Sequence, residues 1–199
     1  MQIINCEQLS PEWFEARCGV PSASNFDKLI TSKGLPSKQR EKYMYKLAGE
    51  KVSGTVEETY QNAAMLRGIE MEEEARDLYT VVTGRTVTEV GFCISDGPFK
   101  YGCSPDGLVG DDGSIEIKCP MAATHVGYLL ANKLPTDYFQ QVQGQLFVTG
   151  RKWTDFVSYY PGIKPLIIRV ERDEVFIAAL SIELIVFCKE LETIINKIK

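Results

Sequence analysis

Two carboxylates and a lysine stand at a spacing that could do chemistry. Asp106 lies in Ser104-Pro105-Asp106-Gly107, and Glu116-Ile117-Lys118 follows. Between them, Gly110-Asp111-Asp112-Gly113 is a hairpin signal flanked by strand-like runs. Side chains alternate along a strand, so a loop with an odd number of residues puts Asp106, Glu116 and Lys118 on one face. A three-residue loop, Asp111-Asp112-Gly113 with Gly113 in the left-handed region, does this. Ile115, Ile117 and Cys119 then point to the opposite, apolar face. Hard divalent cations take oxygen ligands, and Mg²⁺ commonly uses one or two carboxylates with waters and phosphate oxygens. A lysine beside them can orient or deprotonate a water, or stabilise charge on a phosphate. Glu-x-Lys alone is ordinary on a solvated strand face; Asp106 upstream makes the set a candidate metal and catalytic site.

A fourth carboxylate belongs to the helix that the periodicity predicts from Glu58 to Thr80. At about 100° per residue, Glu70, Glu73, Glu74 and Asp77 share a solvent arc. Met71, Ala75, Leu78, Tyr79 and Val82 share the apolar one, and Glu72 falls inside it, between Tyr79 and Met65. A carboxylate is rarely buried without a partner. Either Arg76 pairs with Glu72, or Glu72 points at the same site as Asp106 and Glu116.

The elements that must position these residues make an α/β pattern. Helices are expected at Pro11 to Cys18 behind Ser10 as N-cap, from Ser22 or Ser24 to Ile30, and from Ser37 to near Gly49. Strands are expected at Thr86 to Ile94, Tyr101 to Val109 and Ser114 to Cys119. Helices follow at Ala122 to Asn132 and Thr136 to Val148, then strands at Trp153 to Tyr160 and Leu166 to Glu171. A long helix closes the chain from Asp173. With 199 residues, 44% of them hydrophobic, the length suits a single domain, 1–199, rather than two.

No apolar run reaches membrane-spanning length, and residues 1–5 lack the features of a signal peptide. A cytoplasmic protein without membrane association is therefore expected. Six cysteines are scattered without a Cys-x-x-Cys pair, which fits buried thiols better than zinc or disulfides. The one histidine, His125, is read as a helix-surface or satisfied core residue. A net charge of −5 argues weakly against nucleic acid. Local charge matters more, and Lys28, Lys33, Lys38, Arg40, Lys42 and Lys46 face only Asp27 and Glu41 in their stretch. That run is either a solvated helix face or a strip that meets phosphates.

Glu72, Ser104-Pro105-Asp106-Gly107 and Glu116-Ile117-Lys118 together resemble the PD-(D/E)XK nuclease pattern. The fuller strings Cys103 to Leu108, Ile115 to Pro120 and Gln141-Val142-Gln143 are similar to the lambda-exonuclease, or YqaJ viral recombinase, family. So are Trp13 to Val20 and Ser22-Ala23-Ser24. The resemblance runs from about Glu12 to Arg172-Asp173-Glu174. It implies a restriction-endonuclease-like core, a small central mixed β-sheet flanked by helices. It implies that Asp106, Glu116 and the Ile117 carbonyl hold Mg²⁺, with Mn²⁺ as a substitute and Glu72 in support. Lys118 would act on the attacking water, and Gln141 would help position it, the adjacent Gln140 leaving that register open. Arg17, Ser24 and Ser104 would bind a 5′-phosphate, and Asp96 matches a further acidic position. Arginine's forked donors suit a phosphate dianion, and Ser24 lies near a helix start, where anions are favoured. Trp13, one turn before Arg17, is read as core rather than as a base-stacking wedge.

The implied function is a 5′-to-3′ exonuclease that degrades one strand of linear duplex DNA to 5′-mononucleotides and leaves a 3′ overhang. The same resemblance implies a ring-shaped homotrimer, a single-strand annealing protein as partner, and a phage or prophage recombination role in a bacterial host cell. Two other classes compete. One is another PD-(D/E)XK nuclease, an endonuclease or an iron–sulfur exonuclease; the latter needs clustered cysteines, chiefly near the C-terminus, where only Cys188 lies. The other is a non-catalytic DNA-end-binding or partner-docking module, against which the intact Asp106, Glu116 and Lys118 set argues.

Overall fold

The computed structural model describes residues 1–56 and 63–199. Strand β1 (Gln2–Ile4) precedes helix α1 (Pro11–Arg17), a 3₁₀ helix (Ala23–Lys28), α2 (Arg40–Ser53), α3 (Ala63–Glu70) and α4 (Glu72–Thr83). Five strands follow: β2 (Val87–Thr88), β3 (Phe92–Ile94), β4 (Gly102–Cys103), β5 (Gly107–Val109) and β6 (Gly113–Lys118). Then come α5 (Ala122–Ala131), a 3₁₀ turn (Thr136–Tyr138), α6 (Phe139–Thr149), β7 (Trp153–Ser158), β8 (Leu166–Glu171) and α7 (Glu174–Ile198). The larger sheet has the order β2-β5-β6-β7-β8 and is mixed, because β6 and β7 run parallel. A parallel pair needs a long crossover, and α5 and α6 supply it. Two main apolar clusters hold the layers. One joins α2 and α7 to the 3₁₀ helix, and the other joins α4 to Ile115, Ile117 and Cys119 on one face of β6.

The expected strands at Thr86 to Ile94 and Tyr101 to Val109 are each broken in two. Their first and second halves lie in different sheets, since β3 and β4 join β1 in a separate antiparallel sheet. The cause lies at the breaks. Pro105 cannot donate to a ladder. At Gly91, an added Cβ would sit 2.4 Å from the Cys6 carbonyl oxygen, so another chain segment passes where a side chain would stand. Gln8 ties the two breaks together, its Nε2 donating to the carbonyls of Val90 and Pro105 at 3.0 Å each. The connector Ser104-Pro105-Asp106 thus passes from one sheet to the other.

The hairpin loop is Gly110-Asp111-Asp112, with Val109 paired to Gly113. Gly110 takes the left-handed conformation, at φ 53°. Gly113, expected there, sits in the strand, where a Cβ would lie 2.1 Å from the Trp153 ring. The loop still has three residues, so its parity is unchanged and the register sets Asp106 opposite Glu116.

The helix expected from Glu58 to Thr80 is two helices where it is described; its start lies outside the described residues. Met71, at φ −95° and ψ −5°, interrupts it, so Glu72 becomes the first residue of α4. The helix expected from Ser37 starts at Arg40 and passes Gly49, ending only at Gly54 in the left-handed conformation. Nothing crowds Gly49, and a lone helical glycine costs only about 1 kcal/mol against alanine. The β1 strand was not expected, being too short for its alternation to register. Ser10 and Asp173 cap α1 and α7, accepting from the N–H groups of Trp13 and Phe176. His125 is a core residue, its ring nitrogens bonded to Ser158 Oγ and the Lys164 carbonyl. All six cysteines are free. No helix among the described residues is long and apolar enough to cross a membrane.

Candidate active site

Glu116 lies at the middle of the site and is 1% exposed. Its Oε1 accepts from Gln141 Nε2 at 2.5 Å and pairs with Lys118 Nζ at 2.5 Å. Its Oε2 accepts from Gln145 Nε2 at 2.5 Å. Both glutamines stand on α6, one turn apart, above the polar face of β6. Across the hairpin, Asp106 Oδ2 accepts the Ile117 N–H at 2.5 Å, a bond that a longer β5 would have taken for the ladder. The Lys118 carbonyl accepts from Tyr159 on the β7 side. Neighbouring residues of a strand direct their backbones to opposite sides, so the Ile117 carbonyl faces the Asp106 side, beyond the end of β5.

Arg76 settles one of the alternatives left open for Glu72. Its guanidinium pairs with Glu89 at 3.1 Å and donates to the Asp106 carbonyl at 3.3 Å. Glu72 has no salt bridge among the described residues. Burial raises its pKa and the Glu116 charge adds to this, while Lys118 and Arg76 oppose. Burial holds the Asp106 carboxyl well above the usual range, and the charges of Glu116 and Glu72 push the same way against Lys118. Burial would lower the Lys118 pKa, but Glu116 and Asp106 outweigh it and hold the ammonium above its ordinary value. Three carboxylates thus converge here, Glu116 buried and Asp106 and Glu72 half-buried, and Lys118 is ion-paired with only one of them. All the donors of the region are hard oxygens, which suits a divalent cation such as Mg²⁺ or Mn²⁺. Among the described residues no three acidic, imidazole or thiol side chains form a ready metal cage. An ion here would draw on two carboxylates, a carbonyl and water, as small hard cations commonly do. A cleft of about 580 Å³, bordered by Gln8, Leu9, Glu72, Arg76 and Asp106, opens onto this region.

Two residues before Asp106, the connector enters a pocket of the opposite character. Arg17 donates to Ser104 Oγ at 3.3 Å, Ser22 Oγ at 3.1 Å and Ser24 Oγ at 3.3 Å. Its guanidinium lies 4.2 Å over the Trp13 ring, whose Nε1 donates to Ser104 Oγ at 2.8 Å. Burial lowers the Arg17 pKa, although an arginine remains a cation throughout the working range. No carboxylate pairs with it among the described residues. Trp13, expected in the core, is instead the wall of this pocket. Ser22 was missed, although its hydroxyl stands two residues before Ser24, which was named. Gln145 was missed as well; its signal was the one-turn spacing from Gln141.

Asp96 is elsewhere occupied. It is exposed and pairs with the amino group of Met1, and among the described residues no hydrogen bond ties it to either region. Of the adjacent glutamines, Gln141 rather than Gln140 meets Glu116. The basic run is partly spent within the fold: Arg40 pairs with Glu190, and Lys46 with Glu50 at 2.6 Å. Lys33, Lys38 and Lys42 remain exposed.

A mixed sheet bearing an Asp and a Glu-x-Lys, flanked by helices, is the restriction-endonuclease-like class of α/β fold. Residues 12–152 match the model of the YqaJ-like viral recombinase domain, and the chain belongs to that family. An alkaline exonuclease from Laribacter hongkongensis, LHK-Exo, is 40% identical, with a TM-score of 0.86 over 95% of this chain and 96% of that one. The same exonuclease in complex with dAMP matches equally well, at 40% identity and a TM-score of 0.86, over 96% of each chain. A phage related exonuclease from Haemophilus somnus 129PT shares the fold, at a TM-score of 0.69 and 17% identity, over 90% of this chain and 96% of that one. No curated protein gives a significant match.

Proposed function

We propose that this chain is a Mg²⁺-dependent exonuclease that degrades one strand of linear duplex DNA from its 5′ end, releasing 5′-mononucleotides. One observation carries the reading. The hydroxyl of Ser104 lies in the arginine pocket and the carboxylate of Asp106 lies in the acidic site. Two residues of chain span at most about 7 Å, comparable with the reach of one nucleotide. A terminal phosphate held at Arg17 would therefore set the next phosphodiester at Asp106 and Glu116, and one nucleotide would leave per cut. The dAMP in the LHK-Exo complex is one nucleotide, the size of the unit that would leave.

Arg17, Ser22, Ser24 and Ser104 hold the terminal phosphate, and Trp13 fixes the guanidinium plane. Asp106, Glu116 and the Ile117 carbonyl would hold the cation, with Glu72 nearby adding negative charge. When bound, Mg²⁺ stabilises charge on the phosphate oxygens and on the leaving 3′ oxygen. Lys118, kept as an ammonium, orients the attacking water and supports charge on the phosphate. Gln141 keeps Glu116 in place and borders the water.

The family supports two further parts of the reading. The chain would assemble as a ring-shaped homotrimer around DNA, with Lys33, Lys38 and Lys42 nearer the channel, and act beside a single-strand annealing protein in phage-type recombination. Light scattering should then report about three times the 22.3 kDa chain mass, and a monomer at working concentration would remove the ring. The activity itself is tested with end-labelled linear and circular duplexes, with and without Mg²⁺. Loss of linear DNA alone, and only with the metal, is expected. Cutting of circles would replace the reading with an endonuclease, and inertness on both would leave a binding module.

A further inference from the structure

Asp106 and Glu116 share a detail that their role as acids does not require. Each has one oxygen turned away from the open side and held there by a donor of the fold. On Asp106 it is Oδ2, held by the Ile117 N–H. On Glu116 it is Oε2, held by Gln145. Gln145 is 1% exposed, so Oε2 faces the interior of the protein. Gln141 and Lys118, which both meet Oε1, are only partly buried, so Oε1 faces the open side of the site.

The Gln145 amide is also incompletely satisfied. Its Oε1 is buried and has no hydrogen-bond partner among the described residues. Turning the amide over would set that oxygen against the Glu116 carboxylate, so the orientation is fixed by the charge beside it. A buried acceptor without a partner is unfavourable, and a leucine or methionine filling the same space would avoid it. Space-filling therefore does not account for a glutamine here; a donor aimed at Oε2 does.

Mg²⁺ is small, demands near-ideal octahedral geometry and keeps several of its waters. Ca²⁺ is larger and readily takes both oxygens of one carboxylate. A site in which each carboxylate turns only one oxygen toward the open side suits the former. We infer that Gln145 is a positioning residue that withholds Oε2 of Glu116 from the ion and so favours Mg²⁺ over Ca²⁺. The inference rests on the proposed role of Asp106 and Glu116 as metal ligands.

Calorimetric titration of the full chain with Mg²⁺ alone and Ca²⁺ alone tests it, on the wild type, Gln145→Met and Gln145→Asn. Methionine keeps the bulk without the amide, and asparagine keeps the amide but draws it back from Oε2. Thermal melts of all three accompany the titrations. In each folded variant, Mg²⁺ affinity should fall about tenfold, within the range for residues that orient metal ligands. Ca²⁺ affinity should hold or rise, and kcat with Mg²⁺ should fall while KM for DNA stays. An unchanged ratio of the two affinities, whether both weaken together or neither moves, overturns the inference and leaves the parent reading standing. Failure of the wild type to bind either ion overturns both. If neither variant folds, Gln145 is a residue of the fold and the inference is likewise overturned.

Discussion

The two ends of the Ser104-Pro105-Asp106 connector carry opposite deficits. At Asp106 the fold gathers three carboxylates against one facing lysine, and burial raises the pKa of both Asp106 and Glu72. At Ser104 it half-buries an arginine among three hydroxyls and an indole, with no carboxylate paired to it among the described residues. Elsewhere the same chain pairs its charges in the usual way. Arg169 lies against Asp155 at 2.8 Å, and Asp155 also accepts from Tyr79 at 2.8 Å. Partly desolvated charge without a paired counter-charge is costly, so its presence at both ends of one connector suits ligands of both signs. Under the proposed function a nucleic-acid end carrying its metal would supply them: a phosphate for one pocket and a cation for the other.

The comparison is broken most severely from the acidic side. Asp106→Ala or Glu116→Ala should reduce cleavage of linear duplex below detection while the fold persists, since each removes a hard ligand. Digestion beside a thermal melt checks this, and near-normal rates in either variant would remove that residue from the site. Lys118→Ala is expected to cost about 10²–10³-fold in kcat, the scale for losing one donor to developing charge. Its Mg²⁺ binding, followed by titration calorimetry, should survive. Loss of that binding would make Lys118 part of the metal's support instead.

The smallest effect sharpens the other side. Tyr43 lies beneath the arginine pocket and accepts the Ser22 N–H at 3.1 Å. Burial pushes its hydroxyl up to about 12. Its folded value lies above the ordinary one near 10, so its contribution is fully present below pH 10. It is then lost as pH rises toward 12, by about 3 kcal/mol at most. Denaturant melts across that window should show a shallower fall in Tyr43→Phe than in the wild type. Equal slopes would mean that the hydroxyl titrates freely.

Parity explains how far the acidic site was legible in the sequence. Any odd loop keeps Asp106, Glu116 and Lys118 on one face, so placing the loop at 111–113 instead of 110–112 shifts the pairing by two residues but leaves the face unchanged. The strand breaks were harder to see because β-branched and aromatic residues run straight through them. Pro105 and Gly91 were the local marks, but only a neighbouring segment such as Cys6 to Gln8 turns them into a change of sheet. The interruption at Met71 has no proline or adjacent glycine to announce it. Ser22, read only as a candidate cap, and Gln145 were not assigned to the site because a serine near a helix start and a glutamine on a helix are ordinary until their partners are known. Trp13 misled in the other direction: its bulk suits a core, while its indole N–H belongs to the pocket.

The claim that the two ends of the connector measure one nucleotide from a 5′-phosphate is tested most directly by a cycle. Wild type and Arg17→Ala are each given 5′-phosphate and 5′-hydroxyl linear duplexes, end-labelled so that polarity is visible. Charge-assisted hydrogen bonds contribute about 1.5–3 kcal/mol, so the variant should lose roughly ten- to hundredfold on phosphorylated ends. It should lose much less on hydroxyl ends, where that contact is already missing. Mononucleotides should leave from the 5′ end in the wild type. Equal losses on both ends, or digestion from the 3′ end, would contradict the account.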